Sequence, residues 1–240
     1  MTVFGAIVFV VAVFAGGTAA IAGFGIGSLL TPLLALDVGM SVAVAAVSIP
    51  HITATGLRLY RLRSAVDRRV LVRFGVLSAL GGLAGALLYT KASGRTLTIA
   101  LGVLLILTGF SALLGWAQRW HPRRGAWMLG LLSGFFGGLA GNQGGVRAGA
   151  MMHFGLAPAA FVATSTAVAM LVDLARMPVY LASSAAWLSE WRLIAIATAG
   201  VIVGTLLGER ILMRLSPERF RQVVGWLILA LGVLLLIRAR

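Results

Sequence analysis

One glycine-broken apolar stretch occurs twice in this chain, and it limits the possible folds more than any other feature. Residues 16–27 read Gly-Gly-Thr-Ala-Ala-Ile-Ala-Gly-Phe-Gly-Ile-Gly, and residues 134–145 read Gly-Phe-Phe-Gly-Gly-Leu-Ala-Gly-Asn-Gln-Gly-Gly. At a spacing of 118 residues, Gly16, Ala22, Gly23 and Gly27 fall on Gly134, Ala140, Gly141 and Gly145. The register continues downstream: Val44-Ala45 falls on Val162-Ala163, and Arg58 on Arg176. Glycines recur further on as well: Gly81 and Gly85 match Gly200 and Gly204, and Gly102 and Gly109 match Gly225 and Gly232. The register drifts as small loop insertions would make it drift. The spacing predicts a unit used twice, residues 1–118 and 119–240. In an apolar chain, interrupted helices in matching positions of two halves mark a transporter whose site lies between those halves.

The solvent is set by composition. The chain is 60% hydrophobic and 11% charged, with mean hydropathy +1.02. A soluble domain of this size needs a more charged surface. Apolar runs of about 20 residues, separated by short basic gaps, predict a polytopic all-α membrane bundle. No ten-residue alternating strands suggest a barrel. We read eight hydrophobic segments. They are 3–36 (broken at 23–27), 42–60, 70–89, 96–116, 126–154 (broken at 141–145), 158–181, 191–213 and 220–237. The first twenty residues lack a basic start and have an internal counterpart near 119–138. They are therefore expected to be retained structure rather than a leader.

The net charge of +14 raises the question of nucleic acid. The arginines gather between apolar runs, as topology signals do, so no nucleic-acid partner is expected. The basic loops Arg58–Arg73 and Arg119–Arg124 are expected on the cytoplasmic side. Trp116, Trp120, Trp127, Trp187 and Trp191 lie near segment ends, where interfacial anchors would be. Charge does not orient the halves. Parallel and inverted arrangements both place 13 Lys and Arg on one side and 6 on the other, with Arg147 set apart as intramembrane. Broken helices favour inversion, with each break re-entrant and three crossings per half.

The breaks carry the candidate chemistry. Gly23, Gly25 and Gly27 in the first loop, and Gly141, Gly144 and Gly145 in the second, free backbone groups at membrane depth that require partners. A helix restarting beyond such a loop turns a partially positive end toward the gap, which suits an anion. A dinucleotide loop is excluded, because no strand precedes the glycines. Arg147 follows the second loop inside an apolar segment, where an unpaired cation is costly. It is expected either to face a polar cavity and hold an anion or to form a structural ion pair. The first half has Leu29 at that position, so the loops are not equivalent. Asn142 and Gln143 either bind substrate or satisfy loose backbone groups. Thr164 and Ser165 either line a path or bond back to their own helix.

His51 and His153 lie in apolar segments without metal-ligand spacing. Each is a proton carrier or a hydrogen-bonded structural histidine. Asp173 lies three residues before Arg176, so the two meet on one helix face. A local ion pair and a proton-coupling carboxylate are both open. Gly81-x-x-x-Gly85 and Gly200-x-x-x-Gly204-x-x-x-Gly208 form small-residue faces, for packing within the bundle or for a homodimer. There is no cysteine, catalytic constellation or Walker lysine. We therefore expect no enzyme and no cofactor. Transport would be secondary or passive, unless a separate partner supplies energy. The alternatives are a non-transporting scaffold or accessory subunit, or a carrier of a different small anion.

At these residues the chain resembles the TauE/SafE family of sulfite and organosulfonate exporters. That family carries two helices broken by a glycine-rich loop, often followed by a proline, with a small Ala-Thr-Ser element on the next helix. Here the loops are Gly23-Phe24-Gly25-Ile26-Gly27, followed by Pro32, and Gly141-Asn142-Gln143-Gly144-Gly145, with Ala150 where the proline would be. The element is Ala163-Thr164-Ser165 in the second half and Ala45-Ala46-Val47 in the first. The third and seventh segments carry the spaced glycines, and the basic turn Arg214-Leu215-Ser216-Pro217-Glu218 fits after the seventh. The resemblance implies a multi-pass carrier of a small sulfur-containing anion in the cell inner membrane, exporting in most cases. The first loop lacks the triple glycine, and the second is unusually polar.

Overall fold

The computed structural model describes residues 3–115, 126–183, 186–212 and 217–239. Within them the chain is a helical bundle, with no strand among the described residues. Its helices are α1 (Val3–Ala22), α2 (Ile26–Val38), α3 (Met40–Leu62), the single turn α4 (Arg68–Val70), α5 (Val76–Tyr89), α6 (Gly94–Leu114), α7 (Met128–Ala140), α8 (Gly144–Met151), α9 (Pro158–Ser183), α10 (Trp191–Leu212) and α11 (Pro217–Arg238). The wider π-type turn Leu71–Gly75 joins α4 to α5. Six helical stretches are long and apolar enough to cross a membrane: 3–22, 40–65, 68–89, 94–114, 158–183 and 186–207. Ile26–Val38 and Met128–Ala140 are shorter apolar helices, as is the stretch 222–238 of α11. The observed helices lie on the eight predicted segments, and both breaks fall inside them.

The exposed and buried residues are distributed as lipid solvation requires. Leu80, Leu83, Leu87, Ile99, Val103, Leu107, Phe110, Trp226 and Leu227 are exposed, whereas Thr18, Thr55, Ser78, Thr164, Ser165 and Thr166 are fully buried. Apolar side chains face outward because lipid does not penalise them, and hydroxyls turn inward, away from lipid. Arg61, Arg63, Arg68, Arg69 and Arg73 are exposed at the basic turn after α3. Arg58, read from sequence as the start of that loop, is only 3% exposed inside α3. Trp191 is exposed near a helix end, but Trp187 is buried in the core and is not an interfacial anchor. Trp116, Trp120 and the loop Arg119–Arg124 lie outside the described residues, as does most of the basic turn at 214–218.

Glycine faces set the helix pairs. Gly81 and Gly85 of α5 lie on Leu131, Phe135 and Leu139 of α7, while Gly134 and Gly138 of α7 lie on Ser78, Gly82 and Ala86 of α5. Residue numbers rise together, so α5 and α7 run parallel. α1 and α10 pair in the same way, through Gly200 on Phe9 and Ala12, Gly204 on Val13, and Gly16 on Val201. The small-residue faces are therefore occupied within the chain, and at Gly81, Gly85, Gly200 and Gly204 no such face is left over for a homodimer. By contrast α6 and α11 run antiparallel, with Gly102 near Leu236 and Gly109 near Leu229. α3 and α9 are antiparallel too, with His51 bonded to Asp173 and Gly56 against Met170. Each antiparallel pair joins segments whose residues match at the sequence spacings given above.

The closeness of these faces is testable. A Cβ at Gly134 would collide with the Ser78 carbonyl, whereas one at Gly94 would meet only Ser41 Oγ at 3.8 Å. Gly134→Val is expected to destabilise the protein by about 1–3 kcal/mol, as overpacking does. Gly94→Ala should change little. Thermal unfolding in detergent reads both, and equal midpoints would show that the α5–α7 contact is looser than described.

Candidate functional site

Each break is a hairpin. α1 ends as the Gly23 N–H bonds to Ala19 O at 2.9 Å. Gly23 (φ 75°) and Gly25 (φ 134°) then reverse the chain in conformations that side chains disfavour. The reversal leaves Gly25 against Thr18 and the carbonyl of Ala15, more than a turn back along α1. The second break repeats this. Gly141 (φ 70°) closes α7, and Gln143 folds back onto Gly137, with its carbonyl accepting from Ser133 Oγ at 3.0 Å. The helices restart at Ile26 and Gly144, and neither start has a side-chain cap. Their first N–H groups therefore keep the partial positive charge of a helix N-terminus.

The two hairpin tips meet. Gly27 packs on the Gly141 carbonyl so closely that a Cβ would overlap it, and Gly144 packs on the Phe24 side chain in the same way. Ser28 Oγ donates to Asn142 Oδ1 at 2.9 Å. Arg147, 1% exposed, reaches across from α8. Its Nη2 donates to Gly23 O at 3.0 Å and its Nε to Ser165 Oγ at 3.0 Å. Loop one, loop two and α9 are thus joined by one guanidinium. Arg147 Nη1, Asn142 Nδ2 and the Gln143 amide are buried without a hydrogen-bond partner among the described residues.

A second polar cluster lies between α3 and α9. His51 Nδ1 is 2.7 Å from Asp173 Oδ2. Arg176 Nε donates to Asp173 Oδ1 at 3.1 Å, its Nη2 lies 2.7 Å from the same oxygen, and its Nη1 donates to Gly137 O at 2.6 Å. The Asp173–Arg176 ion pair expected from sequence is present, and it also ties α9 to the second hairpin. Asp173, Arg58 and Arg176 all lie near enough to Arg147 to act on it electrostatically.

The remaining candidates are placed elsewhere. Thr164 Oγ1 accepts from the Asp67 N–H at 2.9 Å and so anchors the turn after α3. Gly145 packs on Thr108 of α6. His153, partly buried at the end of the α8 segment, lies 3.1 Å from Ala150 O, apart from the hairpin tips.

Sequence reasoning missed Arg58 as part of the interior, and it counted Arg176 among the topology charges besides pairing it with Asp173. Both are buried, at 3% and 1% exposure. With Arg147 they make three buried arginines, and Asp173 is the one buried carboxylate among the described residues. Guanidinium stays protonated in proteins, so the interior holds more positive than negative charge. A signal for Arg58 was available: it matches Arg176 at the 118-residue spacing, which a loop residue has no reason to do.

Neither the curated proteins nor the solved structures contain a match to this chain. The family model for the sulfite exporter TauE/SafE matches residues 8–235, nearly the whole sequence. With the apolar helical bundle, that match makes this a multi-pass membrane transporter and not an enzyme. The chain belongs to the TauE/SafE sulfite exporter family.

Proposed function

We propose that the chain carries a small sulfur oxyanion, sulfite or an organosulfonate, outward across the cell inner membrane as a secondary or passive transporter. The two parts, 1–118 and 119–240, act as inverted repeats. The antiparallel α3/α9 and α6/α11 pairs support this, because corresponding helices of inverted halves run in opposite directions. The observation that carries the anion reading is the buried charge imbalance beside two uncapped helix starts. Uncompensated cations in a lipid-embedded core are costly, and a bound anion offsets that cost. Gly23, Gly25, Gly27, Gly141, Gly144 and Gly145 let an anion approach backbone N–H groups. Arg147 supplies countercharge, while Asn142, Gln143 and Ser165 shape the polar wall. Rocking of one half against the other would part the hairpin tips toward each side in turn. His51 and Asp173 are the groups placed to couple that motion to a proton.

The test is flux. The purified protein is reconstituted into proteoliposomes and assayed with sulfite, sulfoacetate, thiosulfate and small carboxylates. Sulfite or a sulfonate is expected to move. Arg147→Ala is expected to lower that flux on the order of 100-fold, as removal of a buried charged hydrogen-bond donor does. An Arg147→Ala protein that transports as well as wild type removes Arg147 from the site. Transport of carboxylates alone reassigns the substrate.

A further inference from the structure

The two halves treat their matched arginines differently. On α9, Asp173 and Arg176 stand three residues apart; on α3 the same positions, 118 residues earlier, are Thr55 and Arg58. Arg176 presents Nε and Nη2 to the Asp173 carboxylate, at 3.1 and 2.7 Å. The corresponding edge of Arg58 meets only a hydroxyl, with Nη2 3.5 Å from Thr55 Oγ1. Arg58 Nε and Nη1 are buried with no partner among the described residues. Thr55 is itself fully buried and lies 3.5 Å from His51 Nδ1. A line of polar groups therefore runs from Arg58 through Thr55, His51 and Asp173 to Arg176. One end is neutralised by a carboxylate and the other is not.

We infer that Arg58 is an anion seat, at which an oxyanion takes the place that the Asp173 carboxylate takes at Arg176. This rests on the anion-transport reading above and extends it from the hairpin tips to the α3 side of the core. Asp173 shows what chemistry this cation position accepts: a delocalised, singly charged group with at least two oxygens. Bisulfite, the singly charged form of sulfite, and alkyl sulfonates have that form, and guanidinium donors match their oxygens well. The protein has built the anion into one half and left the other half to bind one.

The experiment supplies the missing carboxylate from the protein. In Thr55→Asp, Arg58 gains the partner that Arg176 already has. Thermal unfolding of the purified full chain in detergent is followed against rising sulfite, and separately methanesulfonate. The wild type should be stabilised by either anion. Thr55→Asp should unfold at a higher temperature than wild type without anion, and its apparent sulfite affinity should fall at least about tenfold. Thr55→Asn, of similar size without charge, should keep the wild-type response. Arg58→Gln guards against misfolding of the aspartate variant and should show the same loss of sulfite affinity. Wild-type affinity in Thr55→Asp or in Arg58→Gln overturns the seat. Unchanged affinity in both variants with normal wild-type flux overturns the seat alone. Absence of wild-type flux for every anion tried overturns the transport reading instead, since that measurement involves neither substitution.

Discussion

Asp173→Asn is expected to lower stability by about 3–5 kcal/mol, the cost of leaving a buried cation without its partner. Asp173 is fully buried and accepts from both Arg176 and His51. It is also the one buried carboxylate among the described residues, set against Arg58, Arg147 and Arg176. Removing its charge leaves Arg176 in a low-dielectric interior with nothing to oppose it. Arg176 Nη1 also holds Gly137 O, so the loss reaches the second hairpin. The double variant Asp173→Asn, Arg176→Gln should recover a large part of the loss, because it removes the orphaned cation along with its partner. Denaturation in detergent measures all three proteins. A single variant within about 0.5 kcal/mol of wild type, the usual spread for surface changes, would show that the pair does not hold α9 to the second hairpin.

Most of the helical framework could be read from the sequence, because in lipid the backbone leaves little choice. Apolar runs long enough to span must be helices, and the observed ends of α3, α6 and α9 lie within a few residues of the expected ones. The two breaks were also legible, since Gly23 and Gly141 adopt φ of 75° and 70° that only glycine takes readily. The relative direction of matched segments was not. Charge counts tied, and what indicates direction is tertiary pairing: Gly102 beside Leu236, and His51 beside Asp173. Those contacts have no local signature.

The site was legible in part. Arg147 stood out because it interrupts an apolar segment, and it does join both loops and α9. Arg58 did not stand out, since five exposed arginines follow it by residue 73 and any hydropathy window merges it with them. Arg58 lies inside the expected segment 42–60 and in the last turns of α3, on the buried side of that helix. Thr164 and Ser165 show the limit of motif reasoning. They are adjacent in one element, yet Ser165 holds Arg147 and Thr164 holds the Asp67 backbone. Successive helix residues point about 100° apart, so adjacent hydroxyls rarely serve one site.

Gly27→Ala is expected to reduce transport by about 10- to 100-fold, because the new Cβ would overlap the Gly141 carbonyl and push the hairpin tips apart. The tips are held at close range by backbone contact, by Ser28 Oγ on Asn142 Oδ1, and by Arg147 on Gly23 O. A displacement of about 1 Å there spoils each of these at once, since hydrogen bonds weaken steeply with distance and angle. Stability should fall less than function. The cost of one added methyl group is about 1–3 kcal/mol, whereas a site shared between two hairpins requires both in register. Gly94→Ala, far from the tips and with only an ordinary contact to Ser41, should transport normally. Flux in proteoliposomes, set beside the thermal midpoint of the same preparations, separates the two effects. If Gly27→Ala transports at the wild-type rate, the tip-to-tip contact is not where the anion is held. If flux falls only in proportion to folded protein, the substitution acts through stability alone.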